Sequence, residues 1–191
     1  MRIIMPVIAL LLSVPAWGVA ADAWAFTPGE DPFSEDVLLD LRHLNEDEAG
    51  EHGWIQVDDE GDFQRADGEP IRFWAITSNR YFTKRMASLE EMRAHAKAMA
   101  KRGVNMVRFH MTVAAGGKDI DAVDQDLLGQ FFKLFTALKE EGIYSTVSPY
   151  WAHAASKHGK AWADHLGGEH IESVLFYHPR LQEAYKNWVR T

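Results

Sequence analysis

Ser88 opens the strongest periodic stretch in the chain. Leu89, Met92, Ala96, Met99 and Ala100 recur at the three- and four-residue spacing that lines one side of an α-helix, and Ser88 with Glu91 three residues on makes a capping-box pattern. Lys101 and Arg102 sit in the last turn, where positive charge suits the unpaired carbonyls, and Gly103 supplies the left-handed residue that stops the run. A second helix is predicted from about Val123 to Glu141. Its inward positions are Leu127, Leu128, Phe131, Leu134, Phe135 and Leu138, and Gly142 ends it in the same way. A third opens at Pro179, a residue suited to a first helical turn, and puts Leu181, Tyr185, Trp188 and Val189 on one face.

A short apolar run follows each of the first two helices at once, Met106 to Met111 and Ile143 to Ser148, the latter stopped by Pro149. Upstream, Trp54 to Val57 and Ile71 to Ile76 read as strands, with turn residues at Asp59, Glu60, Gly61 and at Asp67, Gly68. A β-hairpin leading into a buried strand is the expectation. The strand starts Ile71, Met106 and Tyr144 lie 35 and 38 residues apart with one amphipathic helix in each interval. That βαβαβ order predicts an α/β fold with a parallel sheet and helical crossovers. Before it, residues 22–52 are acidic and loop-rich, and the run from Glu46 to Glu51 reads as a solvated loop.

The first residues change where the protein is expected to work. Arg2, the apolar stretch Ile3 to Val14 and the small residues Gly18, Ala20 and Ala21 follow the order of a secretory signal peptide, which assigns residues 1–21 to a leader and the mature protein to a secreted or periplasmic location. The apolar stretch is shorter than the roughly 20 residues of a spanning helix, and Pro6 and Pro15 interrupt it. No membrane attachment is therefore expected after cleavage. The formal charge of -8 disfavours nucleic acid as a partner. With no cysteine in the chain, the core has to be held by burial alone.

In parallel-sheet folds the ligand sits at the carboxyl ends of the strands. The residues leaving the first strand are Thr77, Ser78, Asn79, Arg80 and Tyr81, those leaving the second are Arg108, Phe109 and His110, and those leaving the third are Ser148, Tyr150, Trp151 and His153. This mixture of aromatic surfaces with hydroxyl-binding donors and acceptors suits a carbohydrate. Each has a plainer reading as well: Arg108 as a buried structural arginine, His110 as a hydrogen-bonded core histidine, Tyr150 and Trp151 as rim packing, Asn79 as a strand terminator. His153, His158, His165, His170 and His178 make no helical ligand pair with a third donor, so no metal is expected, and Gly116, Gly117, Lys118 lacks the upstream glycine of a phosphate loop. No cofactor is expected either.

The run Gly103, Val104, Asn105, Met106, Val107, Arg108, Phe109, His110 resembles the second-strand motif of clan A retaining glycoside hydrolases, the group that includes the family 5 cellulases and mannanases and the family 2 galactosidases. Gly68 to Thr77 resembles the stretch in which their chain passes from a hairpin into the first barrel strand. The resemblance implies a partial (β/α)8 barrel over residues 53–191, its first three βα units, preceded by a β-hairpin lead-in. It also implies a carbohydrate substrate, Arg108 beside the nucleophilic carboxylate, His110 lining the site of the cleaved bond, and Asn79, Tyr81, Tyr150, Trp151 and His153 contacting sugar. A closed barrel of this type takes about 250 residues. Clan A enzymes carry the acid/base glutamate at the end of the fourth strand and the nucleophile at the end of the seventh. Both are expected beyond residue 191, and residues 1–191 alone are expected to be inactive. A non-catalytic carbohydrate-binding barrel or scaffold, and a metal-dependent barrel hydrolase using the histidines, are the competing expectations.

Overall fold

The computed structural model describes residues 31, 33, 37–79, 88–110, 113, 119–148 and 177–191. The leader assigned to residues 1–21 lies outside them. The chain divides into two compact units, Met1–Ser34 and Glu35–Thr191. In the first, the Phe33 N–H donates to Asp31 Oδ1 at 2.9 Å. All regular structure below belongs to the second.

There, a 3-10 turn at Arg42–Leu44 precedes a two-stranded antiparallel hairpin of β1 (Gln56–Val57) and β2 (Phe63–Gln64). Then come β3 (Ala75–Asn79), α1 (Leu89–Ala100), β4 (Met106–His110), α2 (Gln125–Lys139), β5 (Tyr144–Ser148) and α3 (Pro179–Arg190). The last three strands form one parallel sheet in the order β3-β4-β5. The βαβαβ expectation is met in this mixed α/β arrangement; among the described residues the sheet is open, with no closed barrel.

Local chemistry explains the helix limits. The Ser88 hydroxyl accepts from the Glu91 N–H at 3.1 Å while the Glu91 carboxylate accepts from the Ser88 N–H at 3.0 Å, so two otherwise unpaired donors are satisfied at the start of α1. Asp124 caps α2 by accepting from the Leu127 N–H at 2.9 Å. Gly103 and Gly142 end the two helices with φ of 77° and 68°. In α3 the buried positions are Leu181, Ala184 and Trp188, whereas Val189 is 58% exposed. Eight residues beyond Leu181, Val189 lies about 80° round a helix of 3.6 residues per turn, outside the stripe that Trp188 continues.

The entry to the sheet differs from the sequence expectation. The partner of β1 is Phe63–Gln64, and the strand expected from Ile71 begins only at Ala75. Residues 70–74 spend their hydrogen bonds elsewhere: Pro70 has no N–H, the Ile71 N–H donates back to the Phe63 carbonyl at 3.0 Å, and the Trp74 N–H donates to Asn105 Oδ1 at 2.7 Å. Asn105 also donates from its side chain to the Arg72 carbonyl at 2.8 Å, which fastens this segment to the start of β4.

The core lies on one side of the sheet, where Val107 and Phe109 of β4 meet Met92, Ala96 and Met99 of α1 and Phe131, Leu134 and Leu138 of α2. Phe109 stands edge-on to Phe131 and Phe135, with ring centres 6.0 and 5.2 Å away. Trp188 and Ala184 bring α3 into the same cluster, and the Trp188 indole N–H donates to the Ile120 carbonyl at 3.0 Å. Arg180 donates to Asp121 at 2.9 Å and holds that carboxyl below its usual range.

Part of the acidic lead-in is a clamp at the amino ends of the strands. The Leu41 N–H donates to the Lys101 carbonyl at 3.1 Å and the Ala49 N–H to the Lys139 carbonyl at 2.9 Å. Between them the Asn45 amide donates to the Val104 carbonyl at 3.0 Å and the Glu141 carbonyl at 3.2 Å. The Lys101 and Lys139 carbonyls lie at the ends of α1 and α2, where the helix leaves carbonyls without intrahelical donors, and those of Val104 and Glu141 lie in the turns that follow. Asn45→Ala leaves two of them unpaired, and the expected cost is about 1–3 kcal/mol in a urea unfolding series.

Glu46, at one end of the run expected to be solvated, is half-buried and accepts from the Tyr144 hydroxyl, which itself accepts from the Gly50 N–H at 3.1 Å. Burial, and next the bond to Glu46, push the Tyr144 phenol up to about 12. A phenol whose folded value is raised contributes stability that is complete below its ordinary value near 10 and is lost as pH rises through 12. Over pH 9 to 12 the urea midpoint is therefore expected to fall in the wild type. Tyr144→Phe should have a lower midpoint at pH 9 and a shallower fall, and a parallel fall in both proteins counts against the contact.

Candidate functional site

Alternation along β4 sorts its side chains. Val107 and Phe109 are buried against the helices, so Arg108 and His110 belong to the opposite face, which no helix covers among the described residues. Register then defines two rows across the sheet. Thr77, Arg108 and Thr146 form one, and Asn79, His110 and Ser148 form the next, at the carboxyl ends of all three strands.

Arg108 is exposed, which removes the reading of a buried structural arginine. Its guanidinium Nη2 donates to the Ser148 hydroxyl at 3.5 Å, and no carboxylate pairs with it among the described residues. His110 is half-buried and is the last residue of β4, outside the buried core. Neither Asp nor Glu occupies a position of β3, β4 or β5, although the chain holds 28 acidic residues. Among the described residues this face therefore presents one guanidinium, one imidazole and several hydroxyls, and no carboxyl group: it can donate to sugar hydroxyls and hold negative charge.

Two residues counted with the strand ends belong to the other side. Ser78 is 6% exposed and turned to the helices, and Phe109 is 1% exposed in the core, because each is one residue out of phase with the Arg108 face. Asn79 is placed by its backbone as the last residue of β3, paired with His110. Tyr81, Tyr150, Trp151 and His153 lie outside the described residues, as do His158, His165 and His170.

Comparisons with protein-family models, with curated proteins and with solved structures return no match for this chain. The assignment thus rests on the residues themselves.

Sequence reading missed two features. Thr146 shares the Arg108 row, and the register of β5 against β4 follows once both strands are aligned from their first residues, Met106 with Tyr144. At the amino end, Glu46, Glu51 and His52 each bring a potential metal-ligand atom within 4.8 Å of the others. His52 stands there between Glu51 at 3.5 Å and Asp67 at 3.4 Å, while Glu46 is engaged by Tyr144. This group sits beside Tyr144, the first residue of β5, at the opposite end of the strand from Ser148.

Proposed function

We propose that this chain is the N-terminal part of a secreted glycoside hydrolase that cleaves O-glycosidic bonds of a polysaccharide with retention, built on a (β/α)8 barrel of which β3, β4 and β5 are the first three strands. The observation that carries the reading is the place of Arg108 and His110: the face opposite the described helices, the middle and the carboxyl end of a central parallel strand, polar register neighbours on both sides. A barrel enzyme collects its catalytic groups at that end. Retention needs two carboxyl groups about 5 to 5.5 Å apart, one to protonate the leaving oxygen and one to attack the anomeric carbon. The three strands hold none, and in this reading both are supplied by sequence beyond residue 191. Arg108 stabilises the ionised nucleophile and His110 borders the sugar at the cleaved bond.

The same absence of acid favours a second reading, a carbohydrate-binding barrel or scaffold without catalysis. One experiment separates them: hydrolysis of a polysaccharide panel by residues 1–191 and, in parallel, by the complete gene product, with the anomeric form of the first product followed by proton NMR. Retention by the complete product and no turnover by residues 1–191 is expected. Turnover by residues 1–191 alone, or inversion, overturns the proposal, and saccharide binding without turnover by the complete product selects the second reading.

A further inference from the structure

Arg108 has a long side chain on an exposed face, and such a side chain surrenders considerable rotamer freedom when it is fixed. Among the described residues its one hydrogen bond is to Ser148 Oγ at 3.5 Å. That distance is long for an ordinary hydrogen bond, but bonds of this kind in ligand-free sites shorten when the reacting group arrives. The nearer hydroxyl by register, Thr146, is turned elsewhere and donates to Met106 Sδ at 3.5 Å. Ser148 is the last residue of β5 and is followed by Pro149, so its backbone is held by the sheet on one side and restricted before a proline on the other. A hydroxyl placed in that way is a fixed acceptor for a mobile cation.

We infer that Ser148 is the positioning residue of Arg108: its hydroxyl accepts from Nη2 and aims the remaining guanidinium donors at the group bound over the end of β4. The inference rests on the proposed function, in which that group is the carboxylate that attacks the sugar. Ser148 itself touches neither the sugar nor the reacting atoms. Losing it leaves the charge in place but lets the fork wander, so the effect belongs in kcat and in the ionisation of the nucleophile rather than in substrate affinity.

The test compares Ser148→Ala, Ser148→Thr and Arg108→Ala in the complete gene product, with kcat, KM and the acid limb of the pH profile measured for each. Ser148→Ala is expected to lower kcat about tenfold with KM within about twofold and to move the acid limb upward. Ser148→Thr, which restores a hydroxyl, should recover most of the loss. An effect of Arg108→Ala with none of Ser148→Ala overturns the positioning role and leaves the functional reading standing. No effect of either variant overturns both. In residues 1–191, NMR relaxation of the Arg108 Nε–H bond gives a readout independent of activity. The bond should be ordered in the wild type, loosened in Ser148→Ala and ordered again in Ser148→Thr, and equal order in all three sinks the contact.

Discussion

Arg108→Ala is expected to lower turnover by the complete gene product by about a hundredfold to a thousandfold while the folded structure stays intact. Both halves of that expectation follow from where the residue stands. Arg108 is exposed and among the described residues its only hydrogen bond is to one hydroxyl, so truncation opens no cavity and strands no buried charge. A fold-directed assay such as the far-ultraviolet circular dichroism melt should therefore move by less than a few degrees. On the proposed function the loss in rate arises because Arg108 keeps the attacking carboxylate ionised and aimed, and removing one well-placed donor from a preorganised site typically costs about 10²–10³ in kcat. Lysine is the informative second substitution. It keeps the charge but replaces the planar fork with a single point donor, so partial activity in Arg108→Lys measures how much of the effect is charge and how much is aim. An unchanged rate in Arg108→Ala removes the residue from the site and with it the main support for the carbohydrate reading.

Gly142→Ala is the substitution expected to damage the fold most. Two independent penalties meet there. The backbone sits at φ 68°, where a side chain costs about 1–2 kcal/mol. The space that a Cβ needs is already filled: it would lie 2.8 Å from Asn45 Cβ and 3.0 Å from the Glu46 carbonyl carbon, with the Glu46 carbonyl oxygen nearer still. Forcing extra atoms into packed surroundings adds about 1–3 kcal/mol, for a combined loss of about 2–5 kcal/mol and a melting temperature lower by about 5–15 °C. Gly68 is the control. It has φ 88° but nothing within 4 Å of the Cβ position, so Gly68→Ala carries the backbone penalty alone. Equal losses at the two sites would mean that the lead-in does not press on the helix end as described.

The same glycines show what was legible in the sequence. Gly103 and Gly142, with Ser88 upstream, mark helix ends by local chemistry that needs no knowledge of the rest of the chain. The helices and the strands after them were accordingly readable to within a residue or two. The side of β4 that Arg108 takes follows from the apolar Val107 and Phe109 that flank it, yet Phe109 stands among the residues counted with the ligand-facing strand ends. What could not be read depends on partners distant in sequence. The two residues of β2 are too few to show a period, and the start of β3 is delayed by Asn105, some thirty residues further on. The clamp is the extreme case: Asp47, Glu48 and Glu51 are exposed as a solvated loop should be, but nothing local marks Leu41, Asn45 and Ala49 as partners of carbonyls far along the chain. Around the candidate site, the Arg108 to Ser148 contact needed the register of β5 against β4, which neither strand specifies alone.

That clamp also dictates an order of assembly. Asn45 reaches Val104 and Glu141, 59 and 96 residues along the chain, and those two carbonyls come together only after both crossover helices have packed on the sheet. Closing so long a loop is costly and brings its reward late. The lead-in therefore behaves as a latch fitted after the door is hung: Asn45→Ala should leave the refolding rate almost unchanged and speed unfolding, so that what this segment supplies is the lifetime of the native state.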